Sequence, residues 1–447
     1  MKLSLIAMSG IRAENPKLAK LGMTLPGFLE RAQTLFAMPS LSLLTLAGMI
    51  PPNNEIEYQE YREFPSEQPP ECDLAAITSF TAQVEDAYRL ADLYRRRGTT
   101  VVMGGLHVSK MPDEAARHAD TICVGEGESL WPQILDDFSA GQLKRRYEQP
   151  WGRSFELANA PMPRYDLLDP AKYNRFPVQT SRGCPFECEF CASSILLTPR
   201  YMHKPIARVI DEIHEIKARW PHPFVELADD NSFADRQYGR LLAEAIARED
   251  VKWFAETDIS VAQDDELLRL LAESGCRQIL IGLESPMASG LNGVELKSNW
   301  KFRKRHCYRS AIERIQSHGI TVNGCFVLGL DGDTEEALDL IPEFVEETAL
   351  YDVQITIQTA FPGTPLYRRL LAAGRLIEPC NWRKCTLFDV NFHPLQMTCE
   401  QLEQQFYELA VTLYSKDAVA RRHRRFVEVY GPKWRSRSKT LIPDHVY

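Results

Sequence analysis

The 447-residue sequence lacks an excess of positive charge, a regular cysteine framework and a recognisable export signal. Its formal net charge of -9 argues against binding to nucleic acid. Its 11 cysteines are odd in number and follow no regular spacing, unlike the cysteines of small secreted disulfide-bonded proteins. The apolar run near the start has no cleavage-like site behind it, so it predicts a first strand. Together these absences predict a cytoplasmic protein with no nucleic-acid partner.

Long hydrophobic runs are also scarce. The stretch from Ala32 to Asn54 carries no formal charge and is nearly long enough to span a bilayer. Polar residues and prolines interrupt it, among them Ser40, Pro51 and Pro52. We therefore interpret residues 42–50 as a short helix buried against a sheet.

The chain is long enough for two or three domains. Residues 1–145 alternate strand-like and helix-like segments, which predicts an α/β fold with a Rossmann-like N-terminal domain. Residues 146–175 are rich in proline, asparagine, arginine and tyrosine without clean periodicity, and we interpret them as a linker.

The alternation begins again at residue 176 and yields six more strands. These are predicted at residues 176–180, 224–227, 252–256, 278–283, 321–328 and 354–359. Six such units in residues 176–372 predict a partial (β/α)6 TIM-like barrel, with its chemistry at the carboxyl ends of the strands. Residues 373–447 form a mainly helical C-terminal extension, with one long helix predicted over residues 398–414.

Three cysteines follow the first predicted barrel strand in a C-x3-C-x2-C pattern: Cys184, Cys188 and Cys191. Three thiolates on one loop can ligate three irons of a [4Fe-4S] cluster and leave the fourth iron open to a small molecule. The alternatives are unconnected buried cysteines or a structural zinc site, for which His203 is the nearest fourth ligand in sequence. The aromatic Phe190 before the last cysteine and the strand-loop-helix context favour the cluster.

Residues 180–185, TSRGCP, and residues 163–167, PRYDL, extend the pattern on its N-terminal side. With them the chain resembles radical S-adenosylmethionine (SAM) enzymes that have an N-terminal cobalamin-binding domain, and the resemblance covers most of its length. It implies that the open iron binds SAM, whose reductive cleavage gives a 5'-deoxyadenosyl radical. It also implies an electron donor such as flavodoxin or ferredoxin.

Three short segments fall where related enzymes have SAM-contacting loops: residues 229–231, 282–285 and 329–334. The resemblance implies that Phe190, Asp230, Glu284 and Ser285 help to bind the cofactors. Glu284 is the strongest candidate, since a carboxylate at a strand end can accept hydrogen bonds from the ribose diol of SAM. A surface salt bridge is its alternative role. Residues 361–365 either contact adenine or form only a tight turn, and the sequence identifies no catalytic residue.

The N-terminal half carries elements that resemble a cobalamin-binding fold. Ser79 and the pair Gly104-Gly105 match its serine and glycine positions, where bare backbone lets a bulky ligand approach. Glu126 lies in the GEGE segment that follows about twenty residues later. The Asp-x-His-x-x-Gly motif that supplies histidine to cobalt is missing, and no histidine precedes His107. The resemblance therefore implies cobalamin without a protein histidine as lower ligand; the alternative is a Rossmann-like domain that binds no cofactor.

The C-terminal extension adds two further features. Cys380, Cys385 and Cys399 have irregular spacing, so we interpret them as ordinary thiols rather than ligands of an auxiliary cluster. Basic residues are frequent near the C-terminus: Arg421, Arg422, Arg424, Arg425, Lys433, Arg435, Arg437 and Lys439. Such a run is usually a solvated helix face, and its functional alternative is a clamp for an anionic substrate or peripheral contact with anionic lipid headgroups.

The resemblance as a whole implies a cobalamin-dependent radical SAM methyltransferase acting on an unactivated carbon of a small or lipidic metabolite. A cyclase or ring-rearranging enzyme of the same cofactor type is the alternative among enzymes. A non-catalytic iron-sulfur or zinc protein is the alternative from another class.

Overall fold

The computed structural model describes residues 1–23, 38–150, 152–173, 175–192 and 200–437. Two six-stranded sheets form the framework of these residues, and a small two-stranded sheet lies beside the second. All strand pairs in the two large sheets are parallel. The predicted α/β class is confirmed.

The N-terminal sheet has the strand order β2-β1-β3-β4-β5-β6. Its elements in chain order are β1 (Lys2–Met8), α1 (Pro16–Lys20), α2 (Leu41–Ala47), β2 (Glu55–Tyr61), β3 (Leu74–Ser79), α3 (Val84–Arg96), β4 (Thr100–Gly104), α4 (Leu106–Lys110), α5 (Pro112–Ala115), β5 (Thr121–Val124), α6 (Gly127–Ser139) and β6 (Arg146–Glu148). The order reverses between β1 and β3, and such a switch point opens a ligand crevice at the carboxyl ends of the strands.

The sequence predicted the central strands of this sheet because they are almost continuously apolar, as strands covered on both faces are. It missed β6, where a single buried residue, Tyr147, gives no periodic signal. The helix predicted over residues 42–50 is α2, and the uncharged residues before Pro39 lie mostly outside the described residues.

The second sheet forms the partial barrel, with the strand order β14-β13-β12-β11-β10-β7. Its elements and its small satellite sheet are β7 (Arg175–Val178), β8 (Ser181–Arg182), β9 (Met202–His203), α7 (Ile206–Lys217), β10 (Phe224–Leu227), α8 (Arg236–Ile246), β11 (Lys252–Thr257), α9 (Asp265–Glu273), β12 (Cys276–Glu284), α10 (Ala288–Leu291), α11 (Trp300–Lys304), α12 (Tyr308–Ser317), β13 (Thr321–Leu328), α13 (Ala337–Thr348), β14 (Asp352–Ile357) and α14 (Pro365–Ala372). All six predicted barrel strands are present within two residues of their predicted limits.

The C-terminal extension contains α15 (Cys399–Tyr414) and α16 (Lys416–Arg437). The segment before α15 crosses to the N-terminal domain, where Trp382 packs into the apolar core and its indole donates to Glu114 at 3.0 Å. The extension therefore ties the two sheets together.

The basic residues of the extension do not form one solvated surface. Arg421, Arg424 and Arg425 are exposed, but Arg422 is buried and donates to backbone carbonyls of residues 351 and 413. The expectation of a uniformly solvated face was wrong for Arg422, because α16 lays its apolar side against the barrel. Lys439 lies outside the described residues. In the part of the chain that the structure describes, no helix has the length and apolar composition needed to cross a bilayer.

Candidate active site

The cysteine loop (Gly183–Cys191) leaves the carboxyl end of the barrel sheet directly after β8. Asp229 fixes its entry: one carboxylate oxygen accepts from the backbone N–H groups of Thr180 and Ser181, both at 2.8 Å. Asp230 accepts from the backbone N–H of Gly183 at 2.9 Å. Two consecutive carboxylates after β10 therefore hold the start of the loop.

A second segment supports the loop from the other side. The backbone of Glu189 donates to Val294 at 2.9 Å, and the ring of Phe186 lies 4.4 Å from that of Trp300. Phe190 packs against the small apolar cluster of Val294, Val327 and Leu330. Phe190 therefore anchors the loop between β13 and residues 294–300, while the cofactor contact implied by the resemblance stays a prediction.

The three thiols are partly exposed and lie within electrostatic reach of one another. Burial raises the pKa of Cys184, and it raises that of Cys188 to about 12. The amide of Asn231 lies 3.7 Å from the sulfur of Cys184, where it can donate a hydrogen bond. Asn231 lies in a segment that the resemblance predicts to contact SAM, but no sequence motif indicates this contact with a cysteine.

Among the described residues, no three histidine, cysteine or acidic side chains converge on one metal position. A mononuclear zinc site needs such convergence, whereas a cubane takes one thiolate per iron. His203 stacks on Tyr238 at 4.2 Å and is not grouped with the three cysteines among the described residues. The donor set of three soft thiols on one loop therefore fits an iron-sulfur cluster better than a single ion.

Glu284 ends β12 in an irregular backbone with a φ of 64°. Its carboxylate accepts from the ammonium of Lys301 at 2.7 Å, and Lys301 also donates to the carbonyl of Gly282 at 2.9 Å. Burial opposes the charged form of Lys301, but Glu284 and Cys188 outweigh it and raise the pKa of Lys301. The salt bridge that was weighed for Glu284 exists, but it is buried and beside a cysteine of the loop.

Ser285 and Asp333 form a second buried pair next to Glu284. The Ser285 hydroxyl donates to Asp333 at 3.0 Å and accepts from the backbone N–H of Met287. Burial raises the pKa of Asp333 to about 7. The structure thus brings the segments that start at Gly282 and Gly329 together, as the resemblance implied.

The interior of the barrel contains several charged side chains. Glu226 forms an ion pair of 2.7 Å with Arg175, and the Arg175 guanidinium lies over the ring of Phe254 at 4.6 Å. Glu256 is on the neighbouring strand, and burial, together with the nearby Glu226, raises its pKa to about 8. Glu256 could not be singled out from the sequence, since a lone glutamate in a strand has no motif around it.

The carboxyl edge of the N-terminal sheet carries the other predicted site residues. Ser79 ends β3, and the next residue, Phe80, is 53% exposed although it is large and apolar. Gly105 has a φ of 107°, and a β-carbon there would lie 2.6 Å from the hydroxyl of Thr78. Gly105 is thus required by the protein's own backbone, whereas Phe80 at the switch point offers apolar surface to a ligand.

His107 is enclosed by protein groups. It is 1% exposed, its Nε2 lies 3.4 Å from Glu114, and its ring is edge-on to Trp382 at 5.1 Å. This enclosure, built partly by the C-terminal extension, keeps His107 within the domain core.

The two carboxyl edges meet through an ion-pair junction (Arg182, Glu126 and Glu128). The Arg182 guanidinium donates to Glu126 at 2.7 Å and to Glu128 at 2.6 Å. A second contact lies after β4 and β14, where the Lys110 side chain covers Gly363. Residues 361–365, for which the sequence allows either an adenine contact or only a tight turn, therefore also face the N-terminal domain.

Comparisons with known proteins agree with this architecture. Residues 178–345 match the model of the radical SAM superfamily, residues 68–135 that of the B12 binding domain, and residues 364–445 a domain of unknown function. The bacteriochlorophyllide d C-8(2)-methyltransferase of Chlorobaculum tepidum is 30% identical over 77% of this chain and 78% of its own length. The chain belongs to the radical SAM superfamily. Within it, this radical SAM enzyme is of the type with an N-terminal B12-binding domain.

One further relative supports the assignment, and one solved structure shares the fold. The bacteriochlorophyllide d C-12(1)-methyltransferase of the same organism is 28% identical over 78% of this chain and 76% of its own. The structure of the radical SAM methyltransferase TsrM from Kitasatospora setae superposes with a TM-score of 0.63 at 17% identity, over 85% of this chain and 77% of that one. The enzyme is therefore a cobalamin-dependent radical SAM methyltransferase, and its cofactors are a [4Fe-4S] cluster, SAM and cobalamin.

Proposed function

We propose that the enzyme methylates an unactivated carbon of a small or lipidic metabolite held between the two facing carboxyl edges. The observation that carries this proposal is the junction, because Arg182 directly precedes the cysteine loop while Glu126 and Glu128 follow β5 of the B12-binding domain. When bound, the cluster supplies the electron for reductive cleavage of SAM, and cobalamin supplies the transferable methyl group.

Each edge has residues suited to hold its cofactor. We assign Cys184, Cys188 and Cys191 to three irons of the cluster. Asp230 and Glu284 orient SAM from two strand ends, with Lys301 holding the Glu284 carboxylate in place through an ion pair of 2.7 Å. The buried pair of Ser285 and Asp333 supports the Glu284 loop from behind.

On the opposite edge, we assign Ser79, Phe80, Gly104 and Gly105 to the corrinoid crevice, at the switch point of the sheet. The exposed Phe80 gives this crevice an apolar floor. Both Chlorobaculum relatives are named for methylation of bacteriochlorophyllide d. We propose that the substrate of this enzyme enters between the edges, where Phe80 and the polar barrel interior contact different parts of it.

Two finer partner assignments belong to the same proposal. A flavodoxin or ferredoxin is our proposed electron donor. The exposed Arg421, Arg424 and Arg425 on α16 support a peripheral contact with anionic lipid headgroups for a lipidic substrate.

The experiment that tests the proposed function is replacement of Cys184, Cys188 or Cys191 by alanine under anaerobic reconstitution. Each change removes a ligand from a cubane that has only three, so iron content and SAM cleavage should fall together. Cys380→Ala, at an exposed position of the C-terminal extension, is the matched control and should retain about four irons per chain.

In the same series, mass spectrometry of the product made by the wild-type enzyme distinguishes the reaction type. Methyl transfer adds one methylene equivalent to the substrate, whereas cyclisation or rearrangement does not. Full iron content and SAM cleavage in all three cysteine variants would contradict the assignment.

A further inference from the structure

We propose that Arg182 is a positioning residue that couples the B12-binding domain to the cysteine loop, so that binding of a corrinoid changes the environment of the cluster. This inference rests on the proposed function for the identity of the cysteines as cluster ligands. It goes beyond that function because it gives the two cofactor sites a direct structural link.

The first observation is the position of Arg182 in the chain. Only Gly183 separates it from Cys184, and the backbone N–H of Gly183 is itself fixed to Asp230 at 2.9 Å. Arg182 also pairs with Met202 in the two-stranded sheet. Because the backbone between Arg182 and Cys184 is short and held in place, a displacement of the Arg182 guanidinium should also displace Cys184.

The second observation is the burial of the junction. The side chain of Arg182 is 16% exposed and that of Glu126 is 4% exposed. A planar guanidinium that holds two carboxylates at once fixes both distance and orientation, which a flexible surface pair cannot do.

The third observation is how Glu126 and Glu128 are held. Glu126 precedes the first turn of α6 and also accepts from the backbone of Phe155 at 2.6 Å and from Gln149 at 3.0 Å. The loop from β5 to α6 borders the carboxyl edge that carries Gly104. Movement of this loop on corrinoid binding would be transmitted to Arg182 through Glu126 and Glu128.

This geometry indicates a role for Glu126 that differs from the corrinoid contact implied by the sequence resemblance. Its carboxylate oxygens are occupied by Arg182, Phe155 and Gln149. We infer that Glu126 acts through Arg182 on the cysteine loop rather than by touching the corrinoid.

The test compares the wild type with Arg182→Gln, Arg182→Lys and Glu128→Gln, each reconstituted with iron and sulfide. The matched control is Arg383→Gln, because Arg383 also joins the C-terminal part of the chain to the N-terminal domain, through Glu85 at 2.7 Å, but lies away from the cysteine loop. Two readouts are taken with and without hydroxocobalamin: the electron paramagnetic resonance (EPR) spectrum of the reduced cluster, and hydrogen exchange of the peptide spanning residues 183–191.

In the wild type and in Arg383→Gln, hydroxocobalamin should slow exchange in this peptide and alter the cluster spectrum. In Arg182→Gln, both cofactors should still be retained, but the response to hydroxocobalamin should be lost. Arg182→Lys keeps the charge but cannot hold both carboxylates, so it should restore the response only in part. If Arg182→Gln does not fold, Glu128→Gln carries the test, with a weakened response expected.

A response in Arg182→Gln and Glu128→Gln equal to that of the wild type would overturn the inference, as would a wild type that shows no response. These results leave the proposed function standing as long as iron and corrinoid both bind. Loss of iron binding in the wild type would instead overturn the cysteine assignment itself.

Discussion

At the scale of single residues, the site contains buried charges whose partners decide both stability and binding. Glu284 and Lys301 are the clearest pair, with side chains 8% and 12% exposed and a separation of 2.7 Å. Removing one partner of such a pair leaves an unpaired buried charge, which typically costs about 3–5 kcal/mol. A simple loss of activity in a Glu284 variant would therefore not distinguish cofactor binding from folding.

A double variant separates these two effects. Glu284→Gln should destabilise the protein and weaken SAM binding about tenfold, the usual worth of a hydrogen bond to a charged group. Glu284→Gln combined with Lys301→Met removes both charges, so the unfolding temperature should recover while SAM affinity stays low. Thermal unfolding and equilibrium dialysis with SAM measure the two quantities. If affinity recovers together with stability, Glu284 does not contact SAM.

Glu256 makes a different prediction, through pH. Burial and the neighbouring Glu226 and Asp230 raise its pKa to about 8, while Asp229 acts in the same direction and Arg175 opposes it. The thiol of Cys325 faces it from β13. Because the folded state holds this proton more tightly than the unfolded state, the contribution of Glu256 to stability is most favourable at low pH. It declines as pH rises from the ordinary glutamate pKa of about 4.5 to about 8.

Glu256→Gln should remove this dependence. The unfolding temperature of the variant relative to the wild type should therefore increase steadily between pH 5 and pH 8 and then level off. Differential scanning calorimetry of the reconstituted proteins across this range measures the difference. Glu273→Gln, at an exposed carboxylate on α9, is the control and should show no such trend. A constant difference for Glu256→Gln would mean that Glu256 is already ionised near neutral pH.

At the scale of elements, the local sequence pattern was enough to predict most of the strands and helices. Continuous apolar runs predicted β1, β3 and β13, and the C-x3-C-x2-C spacing placed the cysteine loop after the first barrel strand. These features depend on neighbours in sequence, so a single chain reveals them. The strand β6 was not predicted, because three residues with one buried side chain show no detectable hydrophobic periodicity.

The supports of the site could not be predicted in the same way. Glu295 accepts from the backbone of Glu187, which is 108 residues away, and Trp382 donates to Glu114 across 268 residues. Burial opposes ionisation of Glu295, but hydrogen bonds from residues 297–300 outweigh it and lower its pKa to about 2. Neither residue belongs to a motif, and only the tertiary fold gives each its partner. The predicted domain limits stay predictions, since no comparison tests them.

At the scale of the whole molecule, the two sheets are joined at their carboxyl edges by the junction, and the C-terminal extension closes the N-terminal domain from the side. Trp382 and Cys385 pack with the core of that domain. Cys385 therefore has a packing role, which agrees with its interpretation as an ordinary thiol. The extension also affects whether His107 can reach cobalt, because Trp382 is one of the groups that enclose His107.

The state of cobalt can be predicted from the histidines of the N-terminal domain. His107 is 1% exposed, and its Nε2 faces Glu114. Its Nδ1 has no hydrogen-bond partner among the described residues, and the ring is edge-on to the rings of Tyr88 and Trp382. His118 stacks on Tyr88 at 4.3 Å and pairs with Asp92 at 2.9 Å. Neither imidazole is presented at the carboxyl edge, so we expect bound cobalamin to have no protein nitrogen below the metal.

EPR of the Co(II) state tests this expectation directly. Protein purified anaerobically and reconstituted with hydroxocobalamin should retain the corrinoid and give a base-off spectrum without nitrogen superhyperfine splitting. His107→Ala should give the same spectrum, because His107 contributes packing rather than a ligand. Splitting in the wild type that disappears in His107→Ala would mean that His107 leaves its enclosure to bind cobalt. Failure to retain any corrinoid would contradict methyl transfer from cobalt while leaving the cluster assignment to be judged by the cysteine variants.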